Sequence, residues 1–526
     1  MRLTLSRGVS LAVLASARTE ADHHEDLGCS ILGPPSRPVR RAHAWLKRQV
    51  QRLGPDAVAA RAVELVRGME SSSAYSALCD GKKRRFGRRV LRQDVIFPRA
   101  EKFKPTVLHL RRDELGLDVP VRATEWPLVN ELFATLARGA TKAELRALGT
   151  NATLRALIDD LSSAGWLESF SAPATDSEIV FVGHNTTLVR GKRATVLVDP
   201  YFRPASIFDL PSYQPMQPRD LGQVDAVVIT HSHGDHFHLG SLLQLPPETR
   251  FFVPPVERES LFSTDCALRL RQLGFKNVEA LPWWSSREVG DLSVSALPFY
   301  GEQPTDGEGV HPGLRNIGST WIVRGPRVDA AFLADSGRDV QGDMDSVCKK
   351  AGTVDVLFCG VRGFKLKPIF FGFTTLDAFL VDVPMDALTT PQQLMADGPE
   401  ALRYAKWLGA KKLVPCADGG APWYWREGMG PKYPGFPGEP VVGASPYEEN
   451  LEADPYPERV KGKGVKLMRP GDEFGKESRW PFPPLSELPA RSNKGLTLSY
   501  RLRAPSSRSQ TARAPRDGRS SGSTRR

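Results

Sequence analysis

Apolar and polar positions divide the chain into a short helical part and a longer part in which strands and helices alternate. Between residues 125 and 170, apolar residues recur at three- and four-residue spacing, as in Leu128, Leu132 and Leu136. This is the spacing of one buried helix face. The pattern predicts three short helices, preceded by a β-hairpin within residues 94–121.

Three short helices followed by a strand are typical of a winged helix, and the usual partner of a winged helix is DNA. A helix that enters a DNA groove should be basic. The predicted third helix, Asn151–Ala164, instead has one basic residue, Arg155, and two acidic residues, Asp159 and Asp160. We therefore expect a docking or dimerisation module and no specific nucleic-acid partner.

After Ala172 the pattern changes to short β-rich runs that alternate with helical runs. The runs EIVFVGHNTTLV and ATVLVDP predict a hairpin that is joined by the turn RGKR and ends at Asp199. The run DAVVIT, Asp225–Thr230, predicts a buried strand. Further strands and helices follow as far as KKLVPCADGG. This order predicts an α/β fold, an αββα sandwich of two sheets flanked by helices.

These changes of pattern predict four segments. Residues 1–92 are poorly defined and end in a basic run, residues 93–172 form the winged-helix-like domain, residues 173–480 form the α/β domain, and residues 481–526 form a disordered basic tail. The run Gly81–Arg92 is either a solvated face or a surface for a polyanion or for an acidic carrier of the substrate.

The net charge of +11 belongs mainly to the tail. Residues 491–526 hold ten Lys and Arg and one acid, and such a Ser/Arg/Gly/Pro segment cannot bury enough apolar surface to fold. The overall composition, 40% hydrophobic and 25% charged, is that of a globular protein. No apolar run is long enough to predict a membrane span.

The six cysteines are scattered and form no C-x-x-C pair, which argues against a zinc ribbon and a disulfide scaffold. We therefore expect a reducing compartment and a cytoplasmic location. The first 20 residues resemble a secretory signal weakly, because the apolar run Val9–Ala17 is short and is interrupted by Ser10 and Ser16.

The stretch VVITHSHGDHFHLGSL concentrates potential metal ligands directly after the buried strand. His231, His233, Asp235 and His236 form the pattern H-x-H-x-D-H. Imidazole and carboxylate together suit zinc or iron. The alternative, a histidine-rich surface loop, does not explain the preceding strand. The pattern predicts His231 and His233 on one metal ion and Asp235 and His236 on a second, with His238 outside the site.

With these residues the chain resembles the metallo-β-lactamase superfamily, over about Glu178–Trp425. The resemblance rests on GHNTTLV with TVLVDP, on THSHGDH and on LADSG. It implies that Asp335 bridges two divalent metal ions and that Asp199 orients the histidine loop by hydrogen bonding. His184 would have a similar supporting position behind the ligands. The alternative for Asp335 is a turn aspartate after a hairpin strand.

Two positions depart from the common pattern of the superfamily. Where a histidine usually follows a strand, this chain has Glu302, and we prefer Glu302 to His311, which lies further on in a Gly-rich loop. No histidine follows His311, although the superfamily usually has a last histidine ligand near the end of the domain. Asp418 takes that place, as a ligand or only as a turn residue.

In the hydrolytic members, two metal ions lower the pKa of a bridging water towards about 7 and hold a substrate carbonyl or phosphoryl group. The carboxylates of Asp235, Glu302, Asp335 and Asp418 would cancel the charge of two divalent ions and so weaken that Lewis acidity. The same set would stabilise oxidised iron. Two histidines with Glu302 would also form the two-histidine, one-carboxylate set of iron centres that activate dioxygen.

That ligand set is similar to one offshoot of the superfamily, the di-iron β-hydroxylases of the chloramphenicol pathway and its relatives. Those enzymes have glutamate at the usual histidine position and an additional N-terminal domain. They hydroxylate an amino acid that is tethered to a carrier protein.

Three functions therefore stay open: a metal-dependent hydrolase, which we favour because most chains with this motif are hydrolases, a dinuclear iron oxygenase, and a non-catalytic metal-binding scaffold. The cofactors would be two divalent ions, Zn or Fe, and the substrate a small molecule or a carrier-tethered group. Asp235 or a metal-bound water would serve as the general acid. Candidate substrate contacts, with core packing or a solvated loop as the alternative, are Trp283, Trp284, Tyr300, Trp423, Tyr424, Trp425, Arg362, Lys365 and Lys367.

Overall fold

The computed structural model describes most of the chain between Arg2 and Ala417. The described residues are 2–14, 61–92, 106–171, 177–202, 216–256, 263–301, 317–361 and 395–417, with short gaps at 86, 113–114 and 340–341, together with 365–366, 392–393, 472–473 and a few single positions near residue 45. Glu302, His311 and Asp418 lie outside these residues, as do Arg362, Lys367, Trp423, Tyr424, Trp425 and the predicted tail.

The first 171 residues contain two small antiparallel sheets, of strand order β7-β1-β8 and β2-β5-β6, and the hairpin β3-β4. Their strands are β1 (Arg2–Leu5), β2 (Ser10–Leu14), β3 (Cys79–Arg85), β4 (Arg88–Leu91), β5 (Val107–Arg112), β6 (Leu115–Pro120), β7 (Ala140–Thr141) and β8 (Leu167–Ser169). The helices of this part are α1 (Ala62–Glu70), α2 (Ser73–Ser76), α3 (Trp126–Ala137), α4 (Lys142–Leu148) and α5 (Ala152–Ser163).

The three predicted helices are α3, α4 and α5, and local sequence signals begin each of the last two. The Thr141 hydroxyl accepts a hydrogen bond from the backbone N–H of Glu144 at the start of α4, and the Glu144 carboxylate accepts one from the backbone of Thr141. Asn151 caps α5 through the backbone N–H of Leu154. The boundaries of α5 match the predicted helix 151–164 to within one residue at each end.

The rest of the described chain forms two facing sheets. The first has the order β14-β13-β12-β11-β10-β9-β25, and β11 to β14 run parallel. Its strands are β9 (Ile179–Gly183), β10 (Thr186–Arg190), β11 (Thr195–Val198), β12 (Ala226–Val228), β13 (Arg250–Val253), β14 (Asn277–Ala280) and, late in the chain, β25 (Asp472–Glu473). The helices between these strands are α6 (Pro218–Leu221), α7 (Leu239–Leu242) and α8 (Cys266–Gln272).

The second sheet has the order β15-β16-β17-β18-β21-β24. Its strands are β15 (Ser286–Val289), β16 (Leu292–Pro298), β17 (Ser319–Arg324), β18 (Ala330–Ala334), β21 (Val356–Cys359) and β24 (Lys412–Pro415). The helices of this part are α9 (Met344–Ala351) and α10 (Gly398–Trp407). Two short antiparallel strand pairs are also present. In one, β19 (Arg338–Asp339) pairs with β20 (Gly342–Asp343), and in the other, β22 (Lys365–Leu366) pairs with β23 (Gln392–Gln393).

The alternation of side chains along each strand builds the layers of the predicted αββα sandwich. In β9, Phe181 faces the core between the two sheets, whereas Val180 and Val182 face the outer core. On the outer side of the second sheet, residues such as Ile322 pack with Tyr404 of α10. Because the central strands are covered on both faces, nearly all of their positions are buried.

The structure does not support a separate small helical domain in front of the sandwich. Apolar residues of β2, α3 and α5 belong to the same hydrophobic cluster as the outer face of the first sheet. The side-chain amide of Asn130 in α3 donates hydrogen bonds to the carbonyls of Leu243 and Leu245, at 3.0 and 2.9 Å. A Cβ atom at Gly240 in α7 would lie 1.8 Å from the carbonyl oxygen of Leu11. The N-terminal elements thus form part of the outer helical layer. The domain boundaries after residues 92, 172 and 480 stay predictions.

One strand prediction needs a correction that affects the site. The run EIVFVGHNTTLV contains the two antiparallel strands β9 and β10, which are joined by a turn at His184 and Asn185. His184 adopts a left-handed backbone with φ 54°, and Gly183 has φ 138°. The turn RGKR then joins β10 to β11, as predicted.

None of the helices that the structure describes is both long and apolar enough to cross a membrane. The five described cysteines, Cys79, Cys266, Cys348, Cys359 and Cys416, are buried and form no disulfide.

Candidate metal centre

The predicted ligands lie at the carboxyl ends of strands from both sheets. Asp199 follows β11, the histidine loop follows β12, and Asp335 follows β18. The two sheets meet at this edge, because His231 forms an antiparallel bridge with Gly318, directly before β17. The carboxyl ends of parallel strands are a common place for ligand sites in α/β folds.

Backbone strain is concentrated at the same edge. Five residues other than glycine have positive φ in the part of the chain that the structure describes, and four of them are His184 (54°), Asp199 (39°), Ala334 (49°) and Ala417 (57°). In the sequence, Ala334 and Ala417 directly precede Asp335 and Asp418, two of the predicted aspartate ligands. Such residues cost about 1–3 kcal/mol each and persist where surrounding contacts hold them, often at functional sites.

Two groups of donor atoms converge at this edge, each with its atoms within 4.8 Å of one another. The first consists of His231, His233 and Asp335, and the second of His184, Asp235 and His236. His231 and His236 are fully buried. The structure therefore divides the H-x-H-x-D-H loop between two groups in the way that the sequence predicts.

Asp335 lies between the two groups. Its Oδ2 atom is 3.6 Å from Nε2 of His231 and 3.2 Å from Nε2 of His236. One carboxylate oxygen therefore approaches a histidine from each group. This is the position that a bridging ligand requires.

Asp199 holds the histidine loop from behind. Its fully buried carboxylate accepts hydrogen bonds from Nδ1 of His236 at 2.7 Å, from the side-chain amide of Asn185 at 2.6 Å and from the backbone N–H of Thr230 at 2.7 Å. The Thr230 hydroxyl also donates to it. Because Nδ1 of His236 is engaged, Nε2 faces the donor group, which is the usual arrangement of a metal-ligating histidine.

The electrostatics of the site favour a bound cation. Burial acts to lower the pKa of His236, but the carboxylates of Asp335, Asp235 and Asp199 outweigh it and hold that pKa well above its usual value. Burial and two neighbouring imidazoles lower the pKa of His231 well below its usual value. Four imidazoles and two carboxylates are donors that fit zinc or iron.

The strand that leads to Glu302 is tied to the Asp335 loop. The Ser336 hydroxyl donates a hydrogen bond to the carbonyl of Tyr300 at 2.8 Å, and the backbone N–H of Tyr300 donates to that hydroxyl at 2.8 Å. Tyr300 lies two residues before Glu302, so the chain enters the undescribed segment beside the metal groups. Ligation by Glu302 or by His311 stays a prediction, as does ligation by Asp418.

Other residues from the sequence analysis lie around the site. Nδ1 of His238 accepts a hydrogen bond from the backbone of Ser241 and caps α7, so that His238 stands outside both groups. The Trp283 indole donates to the carbonyl of Gly318, and its ring lies edge-on to Tyr300 with centroids 5.8 Å apart. Trp284 is instead 42% exposed beneath the ammonium group of a lysine.

Sequence reasoning missed the close approach of His184 and the contributions of Asn185 and Thr230. Asn185 and Thr230 donate directly to Asp199. The signal for His184 was the glycine before it, which interrupts a β-rich run and permits a turn there. Nothing in the local sequence indicates which loop that turn approaches.

Comparison with known proteins agrees with this geometry. A family model described as a beta-lactamase superfamily domain matches residues 194–416. The chain is 28% identical over 268 residues to the 4-amino-L-phenylalanyl-[CmlP-peptidyl-carrier-protein] 3-hydroxylase of Streptomyces venezuelae. That alignment covers 48% of this chain and 46% of the relative, so the chain matches less than half of the relative's length.

Two solved structures are similar as well. One is CmlA, a diiron beta-hydroxylase from Streptomyces venezuelae, with 20% identity, a TM-score of 0.49 and coverage of 79% of this chain and 90% of that chain. The other is Igni18, a metallo hydrolase from Ignicoccus hospitalis, with 17% identity, a TM-score of 0.33 and coverage of 56% and 95%. Residues 194–416 thus form a beta-lactamase superfamily domain.

Proposed function

We propose that this protein is a dinuclear iron oxygenase that hydroxylates an aminoacyl group tethered to a carrier protein. The observation that carries the proposal is the similarity to a hydroxylase of a carrier-bound amino acid, at 28% identity over 268 residues. The sequence favoured a hydrolase, and the comparisons do not confirm that prediction.

The donor set supports two metal positions. His231, His233 and Asp335 would hold one ion, and Asp235, His236 and the shared Asp335 would hold the other. When bound, two iron ions would supply the redox chemistry that activates dioxygen. Glu302 and Asp418 would complete a set of four carboxylates, which balances two divalent charges and favours oxidised iron over a strongly Lewis-acidic zinc pair.

Residues of the chain position these ligands and limit access to them. Asp199 fixes the ring of His236 through the 2.7 Å hydrogen bond to Nδ1. Phe299 lies against His231, with ring centroids 5.1 Å apart, and so excludes water from one side of the buried imidazole. Trp283 donates a hydrogen bond to the carbonyl of Gly318, which pairs with His231. Trp283 and the neighbouring Tyr300 would therefore offer aromatic surface to a substrate close to the histidine loop. Nearby histidines, against the effect of burial, hold the pKa of Asp235 well below its usual value, so its ionised carboxylate suits a metal ligand better than the proton donor that the sequence predicted.

A metal-dependent hydrolase is the second candidate. The described donors are four imidazoles and only two carboxylates, and an imidazole-rich set also suits zinc. The choice therefore depends on whether Glu302 and Asp418 bind, and both lie outside the described residues.

Metal content and a single-turnover reaction would test the proposal. Protein purified from cells supplied with both metals should contain two irons per chain and absorb visible light in air, and reduction with dithionite should bleach that band. The reduced protein, exposed to oxygen with an aminoacyl carrier protein, should add one oxygen atom to the aminoacyl group. Two zinc ions per chain, with hydrolysis of a phosphodiester or thioester and no added oxygen, would refute the proposal.

A further inference from the structure

His184 lies deep inside the centre although its sequence neighbours are β-strands. It occupies the turn between β9 and β10, with only 1% of its side chain exposed. Its Nε2 atom is 3.1 Å from Nε2 of His236 and 3.3 Å from Oδ2 of Asp235. Both of those atoms belong to the proposed second metal position.

These separations are those of atoms that share one ion. Metal–ligand bonds of about 2.0–2.2 Å place neighbouring ligand atoms about 2.9–3.5 Å apart in octahedral or tetrahedral geometry. A hydrogen bond accounts for the contacts less well, because Nε2 of His184 can either donate or accept but not both, and it faces an imidazole nitrogen and a carboxylate oxygen at the same time. A single cation satisfies all three atoms at once.

The place of the turn in the fold points the same way. The backbone N–H of Ala417 donates a hydrogen bond to the carbonyl of His184 at 3.1 Å. Ala417 directly precedes Asp418, the position at which the superfamily usually has its last histidine, and no histidine follows His311 in this chain. His184 therefore contacts the residue that directly precedes this sequence position.

The backbone of the turn shows that contacts hold His184 there. Its φ of 54° is a left-handed conformation, which costs a residue with a side chain about 1–2 kcal/mol. Glycine or asparagine would adopt it with less strain. A histidine at this position, aimed into a cluster of donors, indicates a role for the imidazole itself.

We propose that His184 is a direct ligand of the second metal ion, together with Asp235 and His236, and replaces the late histidine that the chain lacks. This inference rests on the proposed dinuclear centre, but it is independent of which metal occupies it. It changes the expected role of His184 from a support behind the ligands to a member of the ligand set.

Two substitutions fit the left-handed backbone and remove the imidazole, namely His184→Asn and His184→Gly. The metal-free proteins would be titrated with Co²⁺ alone against a chelating indicator, and the visible spectrum of bound Co²⁺ would be recorded. The wild type should bind two ions. Each variant should bind the second ion about 10–100-fold more weakly and lose one component of the spectrum, and added imidazole should restore that component in His184→Gly.

The control is His238→Asn, which removes another buried imidazole nearby that caps α7. It should bind two ions with wild-type affinity. Two tightly bound ions in both His184 variants would overturn the inference and return His184 to a supporting role. If the variants do not fold, an anomalous difference map of Co²⁺-loaded wild-type crystals decides the question: an ion within about 2.3 Å of an imidazole nitrogen of His184 supports ligation, and a longer distance refutes it.

The metal identity of the wild type separates this inference from the proposed function. Two zinc ions in the wild-type protein would refute the oxygenase and leave the ligand role of His184 standing. Two iron ions in the wild type, with unchanged binding of the second ion in the His184 variants, would support the oxygenase and refute the ligand role of His184.

Discussion

Replacing Asp199 with asparagine should weaken metal binding without touching a metal ligand. The carboxylate accepts from Thr230 N on Oδ1, and from His236 Nδ1 and Asn185 on Oδ2. An asparagine side chain has an NH₂ group in place of one carboxylate oxygen. This NH₂ group would face either the N–H of Thr230 or the donors of His236 and Asn185, so that at least one of these donors loses its acceptor. The His236 ring then loses its orientation or its proton acceptor.

The size of the effect follows from the buried contacts. Hydrogen bonds to a charged group contribute about 1.5–3 kcal/mol each, and an unsatisfied buried donor costs about 1–3 kcal/mol. Asp199→Asn should therefore lower the free energy of unfolding by about 2–5 kcal/mol. Loss of a residue that orients a metal-ligating histidine typically lowers metal affinity about 10–100-fold.

Asp225 offers a matched control, because it joins the same two strands at their opposite end. Its carboxylate accepts from the backbone N–H of Thr195 at 2.8 Å and from the side chain of Gln223 at 2.6 Å. Urea unfolding and competition with a chelator would be measured for both variants. Asp225→Asn should lower stability by only about 1 kcal/mol and keep both ions. Wild-type metal affinity in Asp199→Asn, or an equal loss in Asp225→Asn, would refute the reasoning.

Three further results are expected. Glu302→Ala should remove one metal ion per chain by elemental analysis and His311→Ala none; the opposite result would make His311 the ligand. Gly240→Ala should lower the free energy of unfolding in urea by about 1–3 kcal/mol or more, because the new methyl group meets a carbonyl of β2. Gly68→Ala should not be destabilising, because its methyl group would meet the Trp45 ring at an ordinary van der Waals distance of 3.5 Å. Dialysis against a chelator should lower the melting temperature. Readdition of metal at about 1,000 times its Kd should raise the free energy of unfolding again by about 4 kcal/mol. An unchanged melting temperature after dialysis would contradict a site formed only in the folded state.

Local sequence was sufficient for those features that depend on neighbouring residues. The alternation of Val180, Phe181 and Val182 marks a strand with two covered faces, and the cap at Asn151 marks the beginning of a helix. The spacing of the histidine loop after a buried strand predicted two metal groups, and the structure brings that loop together with Asp335. The strand and helix predictions succeeded because side-chain periodicity and capping are properties of a few consecutive residues. Metal binding by the histidine loop stays a prediction.

Features that depend on which surfaces meet required the tertiary structure. The periodicity of α3 indicated a buried face, but only the folded chain shows that this face shares its core with the first sheet. In the same way, the glycine before His184 indicated a turn, but the strand order β12-β11-β10-β9 of the folded sheet brings its imidazole to His236. The sequence by itself determined the strands, the histidine loop and the carboxylates near it. Tertiary packing decided which donors converge, because contacts between distant residues leave no period in the chain.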